Sequence, residues 1–517
     1  MCIRDRAGAW PGSVIASDPA DRLFHLLAYK DEVRYRGNTE NITEFKSWLN
    51  ELQAAGGEDC QDAMLQALRG VARGAPGSRA LVVSDAAPQG NRDNLAFIMN
   101  KLVERGVNVY PLISGWCEGS ELTLGSMFAL ARMTGGVMHN LEANDVTTGS
   151  LRALNIMPLQ DSLLVDNGNV DGLQIYPLNI DSTATTLGVD DTECDPWWCL
   201  TCTLVAKQTP SLVQETEAIQ LTVKDPDGNL LQPGDPGVER LQTTNGTSYI
   251  IDVAQVYTPD PGQESATWEV IVEGSGDHVL NVMADSALHF DYLGEHILPA
   301  NKRRLIRARL ETEAGAPAIV GSSLQFAMRH ATNGTVVPID LFDDGEHGDG
   351  EANDGIYGGP LDVRRGLWYL AVRGELTDGS IFERVHQVPI RSKGFRARKP
   401  ADSQQVPGNS QMIQFRVTND EGTSRNKATA QAYELSLDSL LGWSTAGVLP
   451  ETITLDPGET AVIDVLVTVP SDAEPGEVEE TSLTIVEINN LGASETLSVN
   501  TTVVEKIPSY LSLIMSP

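Results

Sequence analysis

The stretch Ser78–Asn91, SRALVVSDAAPQGN, decides the class of the first domain. Its apolar residues run from Ala80 to Val83, which is long enough for a strand that is buried on both faces. Asp85 follows directly, and small residues and a polar turn come after it. In open α/β sheets, ligands bind outside the carboxyl ends of the parallel strands. The stretch therefore predicts a carboxylate at the ligand-binding edge of a parallel sheet.

Strand and helix signals alternate on both sides of this stretch, up to about residue 155. The predicted strands lie in 23–37 (two strands), 80–84, 107–114 and 137–140, and the predicted helices in 42–57, 61–74, 92–104 and 122–136. Such alternation is typical of a parallel sheet with helices on both faces. We predict an incomplete α/β doubly wound, Rossmann-like domain over 20–155, after a spurious or disordered start over 1–19.

The pattern changes after about residue 157 to short alternating segments separated by Gly, Pro, Asn and Asp. AIQLTVKDPDGNLLQ (218–232) and ETAVIDVLVTVP (459–470) are examples. Period-two alternation with Asp-Gly turns is typical of antiparallel β-sandwiches. We predict a multidomain chain in which three all-β sandwiches follow the α/β domain. They lie over 157–294, 295–395 and 410–506, with a linker at 396–409 and a tail at 507–517.

The charge balance excludes several classes of partner. The chain of 517 residues has 37 Lys and Arg against 71 Asp and Glu, so its net charge is −34. Nucleic acids and anionic membranes both require basic surface, so we expect neither as a partner. No run of eighteen apolar residues occurs, and we expect no membrane insertion. Six cysteines, mostly clustered or plausibly paired, favour an oxidising compartment.

The first residues contain no signal peptide, because MCIRDRAGAWPGSVIASDPADR (1–22) has no apolar core region. MCIRDR resembles a spurious prefix found at broken ends of environmental assemblies. We expect a fragment whose true beginning, with any export signal, is missing. The expected location is extracellular or at the cell surface.

Four motifs in the first domain occur in an order that points to a known family. They are GGEDCQDAMLQAL (56–68), RALVVSDAAP (79–88), VNVYPLISGWC (107–117) and FALARMTGGVMHNL (128–141). Together they resemble the von Willebrand factor A domain, in the subgroup found in hemicentins and related bacterial surface proteins. The resemblance covers about residues 20–155. It implies a divalent cation, such as Mg²⁺, held by oxygen ligands from three loops, with one position left for a carboxylate of the partner.

The resemblance assigns ligands in two of these three loops. Asp85 matches the aspartate of the third loop, and Glu58 or Asp59 stands in the second loop, where many relatives have threonine. The Asp-x-Ser-x-Ser of the first loop is absent from residues 1–22, together with the central strand that carries it. The resemblance therefore implies a remnant of an adhesion site. Taken alone, Asp85 could instead cap the helix that follows it.

The cysteines fall into two groups. The resemblance implies a disulfide between Cys60 and Cys117, and two free buried thiols are the alternative. The stretch DDTECDPWWCLTC contains Cys194, Cys199 and Cys202. No second Cys/His pair follows at zinc-site spacing and no βαβ pattern surrounds them, so we predict a local disulfide with one cysteine left over. Which two are paired cannot be deduced from the sequence.

The stretch LFDDGEHGDGEANDGIYGG (341–359) concentrates acidic side chains between glycines. The candidate calcium ligands are Asp343, Asp344, Asp349, Glu351, Asn353 and Asp354. Carboxylates this close repel one another unless a cation neutralises them, and glycines permit the tight curvature of a cation cage. The spacing is not that of an EF-hand, because the glycine comes one position late. The loop resembles Asp/Gly-rich loops in β-sandwich domains of bacterial surface proteins. It is predicted to bind Ca²⁺, with an ordinary acidic hairpin as the alternative.

The final predicted sandwich contains WSTAGVLPETITLDPGETAVIDVLVTVPSDAEPGE (443–477), which resembles immunoglobulin-like modules of secreted bacterial enzymes and surface proteins. No catalytic Ser/His/Asp set, HExxH or P-loop occurs, so we predict that the protein is not an enzyme. We predict instead a secreted or surface-displayed bacterial adhesion protein that binds an extracellular protein or matrix ligand. The alternatives are an accessory region of a secreted hydrolase whose catalytic domain is missing, and a passive surface stalk.

Overall fold

A computed structural model of the protein describes most of the chain between residues 24 and 505. The described residues are 24–29, 33–51, 61–74, 77–84, 86–89, 92–114, 122, 124–141, 148, 152, 155–156, 159, 161–194, 219–243, 246–258, 266–300, 302–312, 324–331, 335–364, 366–420, 430–446, 449–488 and 494–505. They belong to two compact units. The first comprises residues 1–298 with 302–391, and the second comprises 299–301 with 392–517.

The elements of the first domain follow the predicted order. They are β1 (Phe24–Tyr29), β2 (Val33–Thr39), α1 (Ile42–Glu51), β3 (Gln61–Asp62), α2 (Met64–Gly74), β4 (Arg79–Ser84), β5 (Ala87–Pro88), α3 (Arg92–Glu104), β6 (Asn108–Ser114), α4 (Leu124–Met133) and β7 (His139–Leu141). Helix α1 begins after Asn41, whose side-chain oxygen accepts the N–H groups of Thr43 and Glu44 at 2.9 and 3.2 Å. This capping satisfies donors that have no partner within the helix.

The strands β4, β6 and β7 form a parallel sheet in that order. Strand β6 is buried along most of its length, with Val109, Leu112 and Ile113 at most 1% exposed, as expected when helices cover both faces. The antiparallel pair β1–β2 forms a separate sheet, and in the described part of the chain no strand joins the two. In the family that these motifs resemble, the first strand is a central strand of the sheet. Residues 1–22, which contain neither such a strand nor its Asp-x-Ser-x-Ser loop, lie outside the described part.

The rest of the first unit is built of strands. They are β8 (Asp161–Ile180), β9 (Thr186–Cys194), β10 (Gln220–Lys224), β11 (Val238–Thr243), β12 (Gly246–Asp252), β13 (Ala266–Asp285), β14 (Leu288–Tyr292), β15 (Ile297–Pro299), β16 (Arg303–Thr312), β17 (Gln325–His330), β18 (Val336–Ile339), β19 (Ile356–Asp362), β20 (Gly366–Glu375), β21 (Ile381–Val385) and β22 (Ile390–Lys393). One turn of helix, α5 (Val253–Val256), follows β12. The chain is therefore mostly β.

A single sheet runs through both predicted sandwiches of this unit. Its strand order is β11-β12-β9-β13-β8-β21-β20-β17-β18, and the sheet β14-β16-β19 is separate. The sequence predicted two independent domains, over 157–294 and 295–395. The pairing of Val385 with Ser162 instead connects their strands across more than two hundred residues of chain. Local alternation predicts strands but carries no information on which distant strands pair, which is why the shared sheet was missed.

Two hydrophobic cores nevertheless lie on this sheet. We call the strands β8–β13 the first sandwich and the strands β14–β21 the second sandwich. The core of the first contains Trp268 and Val282, and that of the second contains Leu370 and Phe382. Each core is apolar and almost fully buried, as expected for strands that bury one face.

The first domain packs against the opposite face of the same sheet. Successive residues of β20 belong to the cores on opposite faces of the sheet. Leu370 lies in the core of the second sandwich, whereas Tyr369 lies in the core of the first domain. Helix α4 contributes Met127 and Leu130, both fully buried, to the core around Tyr369. Because successive side chains of a strand point to opposite faces, one sheet closes a core on each side.

The second unit is built of two sheets that share one hydrophobic core. Its strands are β23 (Phe395–Arg398), β24 (Ser403–Gln405), β25 (Ser410–Asn419), β26 (Gln431–Ser439), β27 (Ser444–Ala446), β28 (Thr452–Leu455), β29 (Thr460–Thr468), β30 (Val478–Glu487) and β31 (Ser494–Val503). The sheets have the orders β23-β25-β29-β27 and β24-β31-β30-β26-β28. In β29 the residues Ile463, Val465 and Val467 are buried, and their neighbours are exposed.

The predicted linker at 396–409 is not a linker. Strand β23 pairs with β25, and β24 pairs in parallel with β31, so this stretch supplies an edge strand to each sheet. Phe395 is fully buried in the core of the unit, where it packs edge-on against Tyr433 with ring centroids 5.4 Å apart. Edge strands tolerate charged residues, which explains why RSKGFRARKP looked like solvated linker.

Candidate functional site

The predicted cation site lies at the carboxyl edge of the parallel sheet. Strand β4 ends at Ser84, which is 1% exposed. Its hydroxyl donates to the carbonyl of Ala86 at 3.1 Å and accepts the N–H of the same residue at 3.2 Å. These bonds tie the end of β4 to Ala86. Asp85 itself, like Glu58 and Asp59, lies outside the described residues, so its predicted role stays a prediction.

A short parallel pairing connects the segments that follow the two predicted ligand loops. Gln61 of β3 pairs with Ala87 of β5. In the sequence, Asp59 precedes Gln61 by two residues and Asp85 precedes Ala87 by two residues. The two loops thus continue into strands that run side by side in the same direction.

No metal cluster is present in the described part of the chain: no three His, Cys, Asp or Glu residues there are placed to hold an ion together. The cysteine predictions stay untested as well. Cys60, Cys117, Cys199 and Cys202 lie outside the described residues. Cys194 is the last residue of β9, and its side chain is not described.

The acidic loop between β18 and β19 is described completely. Several of its residues have positive φ angles, among them Gly345 at 77°, Gly348 at 75° and Gly355 at 82°. Asn353, at 64°, is the non-glycine residue in the described chain that shares this conformation. Asparagine tolerates the left-handed region better than most residues. These residues turn the loop back on itself several times, so that its side chains reach the backbone of the same loop.

Asp349 is the centre of this loop, with 1% of its surface exposed. Its Oδ2 accepts the N–H groups of Asp344 and Gly345 at 2.6 and 2.7 Å. Its Oδ1 accepts the N–H of His347 at 3.1 Å. Burial alone would raise the pKa of Asp349, but these backbone N–H groups outweigh it and hold the pKa below the ordinary range.

Two further aspartates bind backbone in the same way. Asp343 accepts the N–H groups of Asp354 and Gly355 at 3.1 and 3.0 Å. Asp354 accepts those of Glu351 and Ile356 at 3.2 and 2.9 Å. Each carboxylate thus organises its own turn. The candidate ligands do not converge on one point in this arrangement.

A histidine that was not among the predicted ligands, His347, also contacts an acidic side chain of the loop. The Nδ1 of His347 lies 2.9 Å from an oxygen of Asp344. This hydrogen bond lowers the pKa of Asp344 and raises that of His347. Backbone N–H groups and one imidazole therefore offset the acidic charge. They give a physical basis to the alternative of an ordinary acidic hairpin, and calcium binding stays a prediction.

If the loop binds calcium, Ca²⁺ should raise the unfolding midpoint of the full chain by several degrees at millimolar concentration, because it binds the folded loop more tightly than the unfolded chain. Glu351→Gln should reduce this rise while it leaves the backbone bonds of the aspartates intact. Glu375→Gln, at the exposed end of β20, is the matched control. Thermal unfolding in Ca²⁺ and in NaCl of equal ionic strength measures the effect. An equal rise in NaCl would show simple screening of an acidic hairpin.

A buried ion pair joins the segment after β7 to the first sandwich. The Arg152 Nη2 lies 2.9 Å from Asp190 Oδ1, and the two side chains are 1% and 0% exposed. Further donors of Arg152 bind Thr243 Oγ1 at 2.6 Å and the carbonyl of Asp191 at 3.1 Å. Such a pair is tolerable in the interior because hydrogen bonds satisfy the remaining donors. The sequence feature that could have indicated this ion pair is the pair of adjacent aspartates in LGVDDTEC (187–194).

An acid, a histidine and a hydroxyl lie in line inside the first sandwich. Asp191 Oδ1 is 2.8 Å from His278 Nδ1, and His278 Nε2 is 3.5 Å from the hydroxyl of Tyr176. That hydroxyl donates to Asp166 at 2.7 Å. Burial and the Asp166 carboxylate raise the pKa of Tyr176. A raised pKa is the opposite of the activation that a tyrosine nucleophile requires.

Comparison with known families identifies two parts of the chain. A family model of the von Willebrand factor A domain matches residues 14–142. A second family model, that of the second immunoglobulin-like domain of conditioned medium factor, matches residues 307–391. The chain carries a von Willebrand factor A domain followed by an immunoglobulin-like domain. The first match confirms the von Willebrand factor A domain predicted from the motifs, whereas the hemicentin-like subgroup stays a prediction. The second match lies on the sandwich that contains the acidic loop.

Solved structures with similar parts have low identity to this chain. Alpha-2-macroglobulin of Escherichia coli is 12% identical over 66% of this chain, with a TM-score of 0.21, and the chain spans 23% of its length. The Yersinia pseudotuberculosis adhesin InvE is 12% identical over 42% of this chain and 60% of its own, with a TM-score of 0.17. Fibronectin(III)-like modules of Clostridium thermocellum CbhA are 15% identical over 43% of this chain and 98% of theirs, with a TM-score of 0.16. TM-scores this low establish no common fold over the chain. No curated protein matches.

Proposed function

We propose that this chain belongs to a secreted or surface-displayed bacterial protein that binds an extracellular protein or matrix ligand through its von Willebrand factor A domain. A von Willebrand factor A domain together with an immunoglobulin-like domain suggests an extracellular binding or adhesion-type protein. The proposal adds that binding depends on a divalent cation held at the carboxyl edge of the β4-β6-β7 sheet.

The observation that carries the proposal is the parallel pairing of Gln61 with Ala87. This pairing places two segments side by side: the one that follows Gly-Gly-Glu-Asp-Cys in the sequence, and the one that follows strand β4. In the sequence, Asp59 and Asp85 each precede the paired residue of their own segment by two positions. Mg²⁺ takes an octahedral shell of oxygen ligands, so carboxylates from adjacent loops can hold it and leave a position for a carboxylate of the partner.

The proposal assigns no catalytic residue to this chain. In the described part, the histidine that lies between Asp191 and the Tyr176 hydroxyl, His278, is fully buried. The partner is a protein and not a nucleic acid, because a net charge of −34 opposes binding to phosphate backbones. Among the described helices, none has the length and apolar character needed to cross a membrane.

Restoring the missing loop tests the cation site. Fusing a family-like first strand that ends in Asp-x-Ser-x-Ser ahead of β1 should produce Mg²⁺ binding measurable by titration calorimetry. It should also make unfolding of the first domain more cooperative, since a central strand supplies hydrogen bonds that loops cannot replace. Asp85→Ala in the restored protein should abolish Mg²⁺ binding.

The matched control is Glu104→Ala, an exposed carboxylate at the end of α3 that should leave Mg²⁺ affinity unchanged. If the restored protein with Asp85→Ala binds Mg²⁺ as well as its parent, Asp85 is not a ligand. If neither restored protein binds Mg²⁺, the chain is better explained as a stalk or an accessory region of a larger secreted enzyme.

A further inference from the structure

A cleft lies between the first domain and the shared sheet. The empty space in and in front of the cleft, open solvent included, is about 650 Å³. Its roof is the end of α4 and the turn that follows, with Phe128 and Met138. Its floor is the face of the sheet formed by β8, β13 and β20. Small-molecule sites commonly form at such junctions between domains.

The part of the floor that β8 and β13 form is apolar except at two neighbouring positions, and Tyr369 of β20 and Gln387 line the rest with polar groups. Val165, Val279 and Met283 supply aliphatic surface. Among them lie Ser162, which pairs with Met283, and Asn281, which pairs with Val165 across the β8–β13 strands. Two polar residues on this otherwise apolar part of the floor can orient a ligand that the apolar surface holds.

Both polar residues are more than nine-tenths buried. Ser162 is 2% exposed, and within the described chain its hydroxyl has no hydrogen-bond partner. Asn281 is 8% exposed and lines the same cleft with an amide that can donate and accept. A buried hydroxyl without a partner costs free energy, and a ligand that bonds to it would recover that cost.

We propose that this cleft binds a small, uncharged, largely apolar organic molecule that carries an amide or carbonyl group. The apolar body would rest on Val165, Val279 and Met283. The carbonyl oxygen would accept the Ser162 hydroxyl, and the Asn281 amide would pair with the remaining polar atom. The site is separate from the carboxyl edge of the parallel sheet and does not depend on a cation.

Among the described residues, the lining offers an amine no counter-charge, and its one guanidinium already bonds to the protein. Arg132 is the one charged residue that lines the cleft within the described chain, and its Nη2 already donates to the carbonyl of Ala331 at 2.9 Å. No acidic residue of the described part lines the cleft to bind an amine. Because burial of an unpaired charge is costly, a neutral molecule is preferred.

Benzamide is a suitable probe, with benzoate as its charged equivalent. The full chain should bind benzamide with a dissociation constant on the order of 1 mM, as expected for a ligand of this size, and benzoate more weakly. Ligand-detected NMR and the unfolding midpoint in benzamide measure binding. Ser162→Ala should weaken benzamide binding about five-fold through loss of one hydrogen bond. The same change should leave the midpoint without ligand equal or higher, because it removes a hydroxyl that has no partner.

Two further variants complete the test. Asn281→Leu keeps the branching and the number of heavy atoms of the side chain but removes its donor and acceptor, so it should also weaken benzamide binding. Ser248→Ala is the matched control, because Ser248 is fully buried with an equally unpartnered hydroxyl in the described chain but lies outside the cleft. It should bind benzamide like the unaltered chain. Absence of benzamide binding, equal binding in all four proteins, or tighter binding of benzoate would each overturn the proposal.

Discussion

Replacing Asp181 by asparagine should lower the free energy of unfolding by about 3–5 kcal/mol. Asp181 Oδ2 lies 2.6 Å from Arg384 Nη2, and both side chains are 1% exposed. The guanidinium also donates to Ser286 Oγ at 2.7 Å and to the carbonyl of Leu288 at 3.1 Å. Asparagine preserves the shape but leaves the buried positive charge of Arg384 without its counter-charge, which is the costly half of a buried ion pair.

The loss should depend on pH in a defined direction. Burial alone would raise the pKa of Asp181, but Arg384 and the hydrogen bonds from Thr183 outweigh it and hold the pKa below the ordinary value. A carboxylate with a lowered pKa stabilises the fold above its unfolded-state pKa, and this stabilisation is lost as pH falls through the folded-state pKa. The difference between Asp181→Asn and the unaltered chain should therefore be full at neutral pH and shrink under acid conditions.

An exposed pair in the same sheet provides the control. Arg373 Nε lies 3.5 Å from Glu383 Oε1, and the side chains are 53% and 27% exposed. Water screens such a pair, so Arg373→Met should cost less than about 1 kcal/mol. Urea unfolding of the full chain at neutral and acid pH measures both variants. If Asp181→Asn costs no more than Arg373→Met, the buried pair is not what holds β21 to the turn after β8.

Gly136→Ala should destabilise the first domain by about 3 kcal/mol or more. A Cβ at this position would lie 1.9 Å from the carbonyl oxygen and 2.6 Å from the carbonyl carbon of Val109. Both are backbone atoms of β6, the central strand of the parallel sheet, so no side chain can rotate away to make room. The turn after α4 or the strand itself would have to shift.

Gly77→Ala separates this steric effect from backbone strain. Gly77 has a φ of 72°, and no atom of the described chain lies within 4 Å of the point that an alanine Cβ would occupy. Alanine there therefore costs only the strain of the left-handed conformation, about 1 kcal/mol. Differential scanning calorimetry of the two variants compares them directly. Equal midpoints for Gly136→Ala and Gly77→Ala would contradict close packing of the turn on β6.

Local patterns in the sequence were sufficient for most elements. The predicted helices near 61–74 and 92–104 correspond to α2 and α3, and the strand predicted at 80–84 corresponds to β4. Each has its own periodicity and end signals, which act within a few residues. The linker prediction at 396–409 was wrong because the charged residues there belong to edge strands, whose exposed positions look like solvated chain.

For the candidate site, too, local sequence was sufficient to predict some features and not others. The motifs around Asp85 were enough to predict the von Willebrand factor A family, because they depend on local turns and on their order in the chain. The acidic loop was singled out for its composition. Its internal bonds, such as that of Asp349 to the N–H of Gly345, depend on φ angles that composition does not specify.

The family, the alternation of elements and the abundance of β-sandwich strands follow from short-range pattern and composition, so the amino-acid order was enough to predict them. Three features became visible only in the folded chain: the two sandwiches share a sheet, the first domain closes its core on that sheet through Tyr369, and Arg152 and Arg384 pair with buried acids. These partners are separated by tens to hundreds of residues. Their pairing depends on which surfaces exclude water together, a property of the assembled fold that no local stretch encodes.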